Sequence, residues 1–180
     1  HWENDLELIN TSAIKVLRAI GNPAARKVCK RYLDRDLNRS FSPELLNSLS
    51  EQDREVYRAN ELLCLYGPAG SRPCQIVIDI HSTTSAMGNS LVLYGRRPTD
   101  LALASLVQAR LGLPIYLYEK NNTQKGFLVE SWPCGFVIEV GPVPQSLLNA
   151  KIIDQTRIAI EACFESIMKI FSGSRIYPKR

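Results

Sequence analysis

The chain has 180 residues, 45% of them hydrophobic and 22% charged, with a formal net charge of +4. This composition excludes disorder and collagen-like structure, and the length suffices for one sizeable core. No apolar run reaches the roughly 18–20 residues of a spanning helix, so no membrane partner is expected, and +4 is too small to imply nucleic acid.

In chain order, Ser12 to Ile20 reads as a strand, ended by Gly21-Asn22-Pro23. Ala24 to Lys30 reads as a short helix behind that turn. Arg31 to Arg39 has no period at 2 or 3.6 and reads as a structured loop. Ser50 reads as a helix N-cap, with Asp53 three residues on. Val56, Ala59, Leu63 and Tyr66 then recur at helical spacing until Gly67-Pro68.

Gln75 to His81 is a continuous apolar, β-branched run, the pattern of a strand buried on both faces. Ser90 to Tyr94 is a second strand. Asp100 to Leu111 is a helix with an N-terminal acid and Gly112 as its cap. Ile115 to Tyr118 and Phe136 to Val140 are strands, and Gly141 to Pro144 is a rigid turn. Asn149 to Phe171 is a long helix, with Ile153, Ile160, Phe164, Ile167 and Phe171 on one face. Strands alternating with helices predict an α/β fold: a mainly parallel or mixed central sheet with helices on both faces. Residues 1–180 are read as a single domain. The start at His1, with neither Met nor a signal-like pattern, is expected of a piece of a longer or processed chain.

The five cysteines, at 29, 64, 74, 134 and 163, form no CxxC pair and are expected to be reduced thiols in a cytoplasmic protein. Cys64 and Cys163 are expected in the core. With only His1 and His81 as histidines, a metal site made wholly from this chain would have to recruit carboxylates. Between Arg26 and Arg39, six basic residues face only Asp34 and Asp36, so this stretch carries the whole net charge of the chain. A concentrated positive site suits an anionic ligand; a solvated basic helix face is the alternative.

Functional groups in open α/β sheets gather at the carboxyl ends of strands. His81 and Glu139 stand near two such ends. A charged glutamate inside an apolar strand is costly unless paired, so Glu139 is either a structural salt-bridge partner or a general base raised by burial. Asp79, two residues before His81, faces the same side and can orient the imidazole. Ser82 to Ser85 is not a nucleophile elbow, since no GxSxG occurs and no second histidine is placed as its base. The absence of a P-loop or GxGxxG pattern leaves nucleotide binding unsupported.

Four segments in order carry a family resemblance: Asn22-Pro23, Arg31-Tyr32-Leu33-Asp34-Arg35-Asp36-Leu37-Asn38-Arg39-Ser40-Phe41, Asp79-Ile80-His81-Ser82-Thr83-Thr84-Ser85 and Ile138-Glu139-Val140-Gly141-Pro142. Together they resemble the aspartoacylase and succinylglutamate desuccinylase family of zinc carboxypeptidase-like amidohydrolases, in its bacterial, cyanobacterial-like style. The resemblance implies a carboxypeptidase-like fold and one Zn2+ per full-length chain. It implies a substrate that is a small N-acyl acidic amino acid, such as N-acetylaspartate. His81 matches a zinc ligand and Asp79 the acid beside it. Glu139 matches the general base and acid, and Arg31 the arginine that polarises the scissile carbonyl. Asn38 and Arg39 match the pair that holds a substrate carboxylate.

The family's G-x-H-G-N-E motif, source of its other two zinc ligands, does not occur in this sequence. His1-Trp2-Glu3 is no substitute, and the small C-terminal β domain is not apparent. No arginine stands shortly before Ile138-Glu139; Lys125 is the candidate in its place, as a point charge rather than a fork. The chain alone is therefore expected to bind zinc weakly and to lack activity. The alternatives are a desuccinylase or carboxypeptidase-like hydrolase, and a non-catalytic anion-binding module that has lost its metal. Association of like chains stays open.

Overall fold

A computed structural model describes residues 14–48, 53–84, 86, 88–118, 125–144, 147 and 149–173. Helices α1 (Pro23–Lys27), α2 (Pro43–Ser48) and α3 (Arg54–Tyr66) come first. They are followed by strands β1 (Ile76–Ser82) and β2 (Ser90–Tyr94), helix α4 (Pro98–Leu111), strands β3 (Ile115–Tyr118) and β4 (Cys134–Val140), and helix α5 (Ala150–Phe171). Short 3-10 turns occupy Leu37–Arg39 and Leu128–Ser131.

The four strands form one sheet in the order β1-β4-β2-β3. β1 runs parallel to β4, β2 antiparallel to β4, and β3 parallel to β2, so the sheet is mixed. β4 is its buried centre: Phe136 and Val137 are fully covered. Side chains alternate between two faces. One face carries Phe136, Ile138, Leu91 and Leu93, which pack with Leu103, Val107, Ala159 and Cys163 of α4 and α5. The other carries Val77, Val137, Val92 and Tyr94, covered by Ala59 and Leu62 of α3 together with Leu37, Phe41 and Trp132. Helices therefore lie on both faces.

The structure differs from the sequence reading in five places. The expected strand over Ser12 to Ile20 is reduced, among its described residues, to a single bridge at Ile14. The carbonyls of Ile20 and Gly21 accept from the Arg58 guanidinium at 2.7 and 2.8 Å instead of from a ladder. The cap of α3 is Asp53, whose carboxylate accepts from the Val56 amide; Ser50 lies outside the described residues. β1 is not buried on both faces: most of its residues are half-buried and Ile80 is 40% exposed.

Cys64 is exposed, because α3 turns Val56, Ala59 and Leu62 inward instead. The buried face of α5 is Ala159, Ala162, Cys163, Ser166 and Ile167, while Ile153 and Phe171 face outward. Small residues let α5 approach α4 and β4 closely. All five cysteines are free. Among the described residues, no helix is long and apolar enough to cross a membrane. The reading of His1-Trp2-Glu3 lies outside the described residues.

Candidate active site

The strand register sets the site. His81 on β1 pairs directly with Glu139 on β4, and Glu139 pairs across its other edge with Ser90 on β2. Directly paired residues share a face. Asp79, His81, Glu139 and Ser90 thus lie on the face covered by α3, opposite the α4–α5 layer. His81 Nδ1 is 3.7 Å from Glu139 Oε1, and Nε2 is 2.8 Å from Asp79 Oδ2. The Asp79 contact falls short of an aligned hydrogen bond, and the buried Oδ2 keeps unused acceptor capacity. Burial works against the His81 imidazolium, but the attraction of the Asp79 carboxylate and then of Glu139 outweighs it. The pKa is pushed up to about 10.

Beyond the ends of these strands the chain is laced together. The Thr83 amide donates to the Val140 carbonyl, and the Thr83 carbonyl accepts from the Val143 amide, both at 2.9 Å. Gly141, at φ +152°, leaves room for this: a Cβ there would run into the Thr83 carbonyl. The segment after His81 is thus fastened to the end of β4 by its own backbone.

The basic loop reaches the same face through Tyr94. Buried Asn38 accepts from the Leu128 amide at 3.0 Å, and its side chain acts on the Tyr94 hydroxyl. The Tyr94 ring stacks on Phe127, with centroids 3.9 Å apart. Burial, then the charges of Glu139 and Asp79, push the Tyr94 pKa up to about 12, with Asn38 and then Arg39 opposing. Tyr94 therefore lies within electrostatic reach of Arg39 and of both carboxylates.

Arg31 is further out, mostly exposed, and held by Asp36 at 2.9 Å. Asp36 in turn accepts from the Asn38 amide at 3.1 Å, so Arg31 is tied to the turn that carries Asn38 and Arg39. Lys125 is exposed at the start of α2, where its charge acts on Glu44. The structure thus groups His81, Asp79 and Glu139 closely, joins Asn38 and Arg39 to them through Tyr94, and leaves Arg31 and Lys125 at the periphery. Tyr94, Ser90 and Glu55 were not singled out in the sequence. Ser90 is fully buried opposite Glu139, and its hydroxyl has no hydrogen-bond partner.

Residues 1–167 match the family described as Succinylglutamate desuccinylase/Aspartoacylase catalytic domain. The chain belongs to this family. It is 62% identical over 177 residues to a "Probable aspartoacylase" of Prochlorococcus marinus strain MIT 9313, covering 98% of this chain and 58% of the relative. It is 57% identical over 169 residues to a protein of the same description from Synechococcus sp. strain CC9605, covering 94% and 55%. The crystal structure of murine aminoacylase 3 superposes with a TM-score of 0.84 at 29% identity, over 95% of this chain and 58% of that one. The succinylglutamate desuccinylase of Chromobacterium violaceum, at 20% identity and a TM-score of 0.58, shares the fold; 87% of this chain and 49% of that one are covered. The chain therefore spans about half the length of the relatives it matches.

The zinc that the aspartoacylase/desuccinylase family implies can be tested against these residues. Nδ1 of His81 faces Glu139 across a gap too long for a direct hydrogen bond, and Asp79 braces the other ring nitrogen, as acids brace metal-bound imidazoles. That fits one ligand position. Catalytic zinc usually takes three protein ligands. Among the described residues, the one group of three donors is Asp34, Asp53 and Glu55, and it is otherwise engaged. Glu55 accepts four hydrogen bonds, Asp53 pairs with Arg35, and Asp34 accepts from the Arg54 amide. A full zinc set is not present among the described residues.

Proposed function

We propose that the protein is a zinc-dependent amidohydrolase that deacylates an N-acyl acidic amino acid, N-acetylaspartate in kind, to a carboxylate and the free amino acid. The observation that carries this reading is the His81–Glu139 pair, in register on one face of the sheet and connected through Tyr94 to the basic Asn38–Arg39 turn. His81 is the zinc ligand, with Asp79 orienting its ring, and the remaining ligands come from outside the described residues. Zinc held there supplies Lewis acidity beside the amide carbonyl.

The chain's own groups do the rest. Glu139 takes a proton from the attacking water and delivers it to the leaving nitrogen as the C–N bond breaks. Arg39 forks onto a substrate carboxylate, with Asn38 beside it, because a planar guanidinium matches a carboxylate in two hydrogen bonds. Arg31, released from Asp36, stabilises the developing oxyanion. Lys125 is an outer contact for substrate charge. A small-molecule substrate and a cytoplasmic location complete the reading.

The test uses the complete gene product with zinc and N-acetylaspartate, measuring acetate release. Glu139→Gln is expected to lower kcat by about a thousandfold, a typical size for a positioned acid–base group, while zinc content stays unchanged. A zinc-loaded protein inactive on N-acetyl, N-succinyl and other N-acyl acidic amino acids defeats the reading. The second reading, an anion-binding module without metal, is favoured by the incomplete donor set around His81 among the described residues. It requires succinate binding by a protein that takes up no zinc.

A further inference from the structure

Glu55 lies in the first turn of α3, where an acid ordinarily faces water and complements the helix dipole. Here it is 1% exposed. Its Oε1 accepts from the Leu33 amide at 2.7 Å and from Asn22 Nδ2 at 2.8 Å. Its Oε2 accepts from the amides of Asp34 at 3.0 Å and Arg35 at 3.3 Å. Three successive backbone N–H groups converging on one anion form a nest. In this chain the anion comes from the protein's own helix.

Beside it, Asp34 caps back onto the Arg54 amide and Arg35 pairs with Asp53, so the loop is fastened to the start of α3 from three sides. The next residue, Asp36, pairs with Arg31 and accepts from the Asn38 amide, starting the turn Leu37–Arg39. The side chains that would meet substrate thus flank the clamp, Arg31 before it and Asn38 and Arg39 after it.

We propose that Glu55 is a positioning residue that fixes the 31–39 loop, so that Arg31, Asn38 and Arg39 are presented toward the His81–Glu139 face. Touching no reacting atom, it acts through the loop, and the inference rests on the site assignment above. Glu55→Gln puts an amide NH2 where backbone donors already point. Asn22→Ser removes one donor but keeps an oxygen to cap α1.

Two readouts on the complete gene product test the proposal: amide hydrogen exchange, and binding of succinate as a dicarboxylate probe together with KM and kcat for N-acetylaspartate. In Glu55→Gln, exchange at Leu33 to Arg35 is expected to rise at least about tenfold while β1 and β4 keep their protection. Succinate Kd and KM should rise about tenfold and kcat much less, with Glu55→Asp recovering part of the loss. Unchanged exchange at 33–35 overturns the clamp. Faster exchange with unchanged succinate Kd, or a lost kcat at constant KM, overturns its role in presenting ligand groups. If Glu55→Gln does not fold, Asn22→Ser carries the same readouts with smaller shifts in the same direction, and no shift in either overturns the proposal. An unsubstituted protein with no deacylase activity defeats the hydrolase reading alone, because exchange and succinate binding need no turnover.

Discussion

Glu55 and Glu139 are both carboxylates beside apolar strands and helices, yet their surroundings differ. Burial of Glu55 opposes its charge, but the amides of Leu33, Asp34 and Arg35 and the Asn22 side chain outweigh this and hold it below the usual carboxylate range. A group depressed on folding contributes stability above its unfolded pKa, about 4.3 for glutamate, and that stability is lost as pH falls through the native value. Asp34, Asp53 and Arg35 are the other charges facing it. The amide proton shifts of Leu33 and Asp34, followed by NMR through an acid titration, should therefore show a midpoint below that of an ordinary glutamate. A midpoint at or above the ordinary value would contradict the clamp's electrostatics. His81, Asp79 and Glu139 were readable in the sequence, because polar residues ending apolar strands are conspicuous. Glu55 was not, because its burial arises only when a loop twenty residues upstream folds over the helix. Tyr94 was hidden too: at the end of an apolar strand it reads as one more core aromatic.

At the level of elements, β4 is positioned by contacts at its start as much as by its ladder. Asp100, fully buried in α4, accepts from the Gly135 amide at 3.0 Å and pairs with Arg97 at 2.6 Å. Arg97 also donates to the carbonyls of Val129, Glu130 and Trp132, tying the 3-10 turn to the same helix. A Cβ at Gly135 would sit 2.6 Å from Val77 Cγ1 and 2.8 Å from the Val77 carbonyl. Gly135→Ala should therefore push β1 and β4 apart and cost about 1–3 kcal/mol, read as a lower Tm in thermal unfolding. An unchanged Tm would show that the pair has slack.

Strands β2 and β3 and helix α4 were predicted nearly to their ends, because alternation, β-branching and a glycine cap are local signals. The segment before Gly21 misled for the opposite reason. Its β pattern is genuine, but Arg58 on a distant helix takes its last carbonyls. The buried face of α5 is not legible from residue size, because close helix packing favours alanine and serine over the largest apolar residues.

At the level of the whole molecule, β1 ends the strand order, and a cleft of about 160 Å³ runs along its outer side, bordered by Leu17, Ala19, Cys74 and Trp132. Asp79 borders that cleft as well, so one end of the candidate site opens onto the sheet's flank. Among the described residues, His81 meets no second imidazole and no free three-donor set. Calorimetric titration of this 180-residue chain with zinc should accordingly show no stoichiometric site tighter than micromolar, whereas the complete gene product should show one that His81→Ala removes. Tight binding by the short chain would mean that its own residues complete the donor set.

The pairing of His81 with Glu139 also bears on how the protein acquires its chemistry. The two residues are separated along the chain by all of β2, α4 and β3, and their strands must align in phase. A slip of one position would turn the carboxylate toward α5 and leave the imidazole facing the other way. A ribosome must release β4 before the two can meet at all, so neither strand alone carries the chemistry.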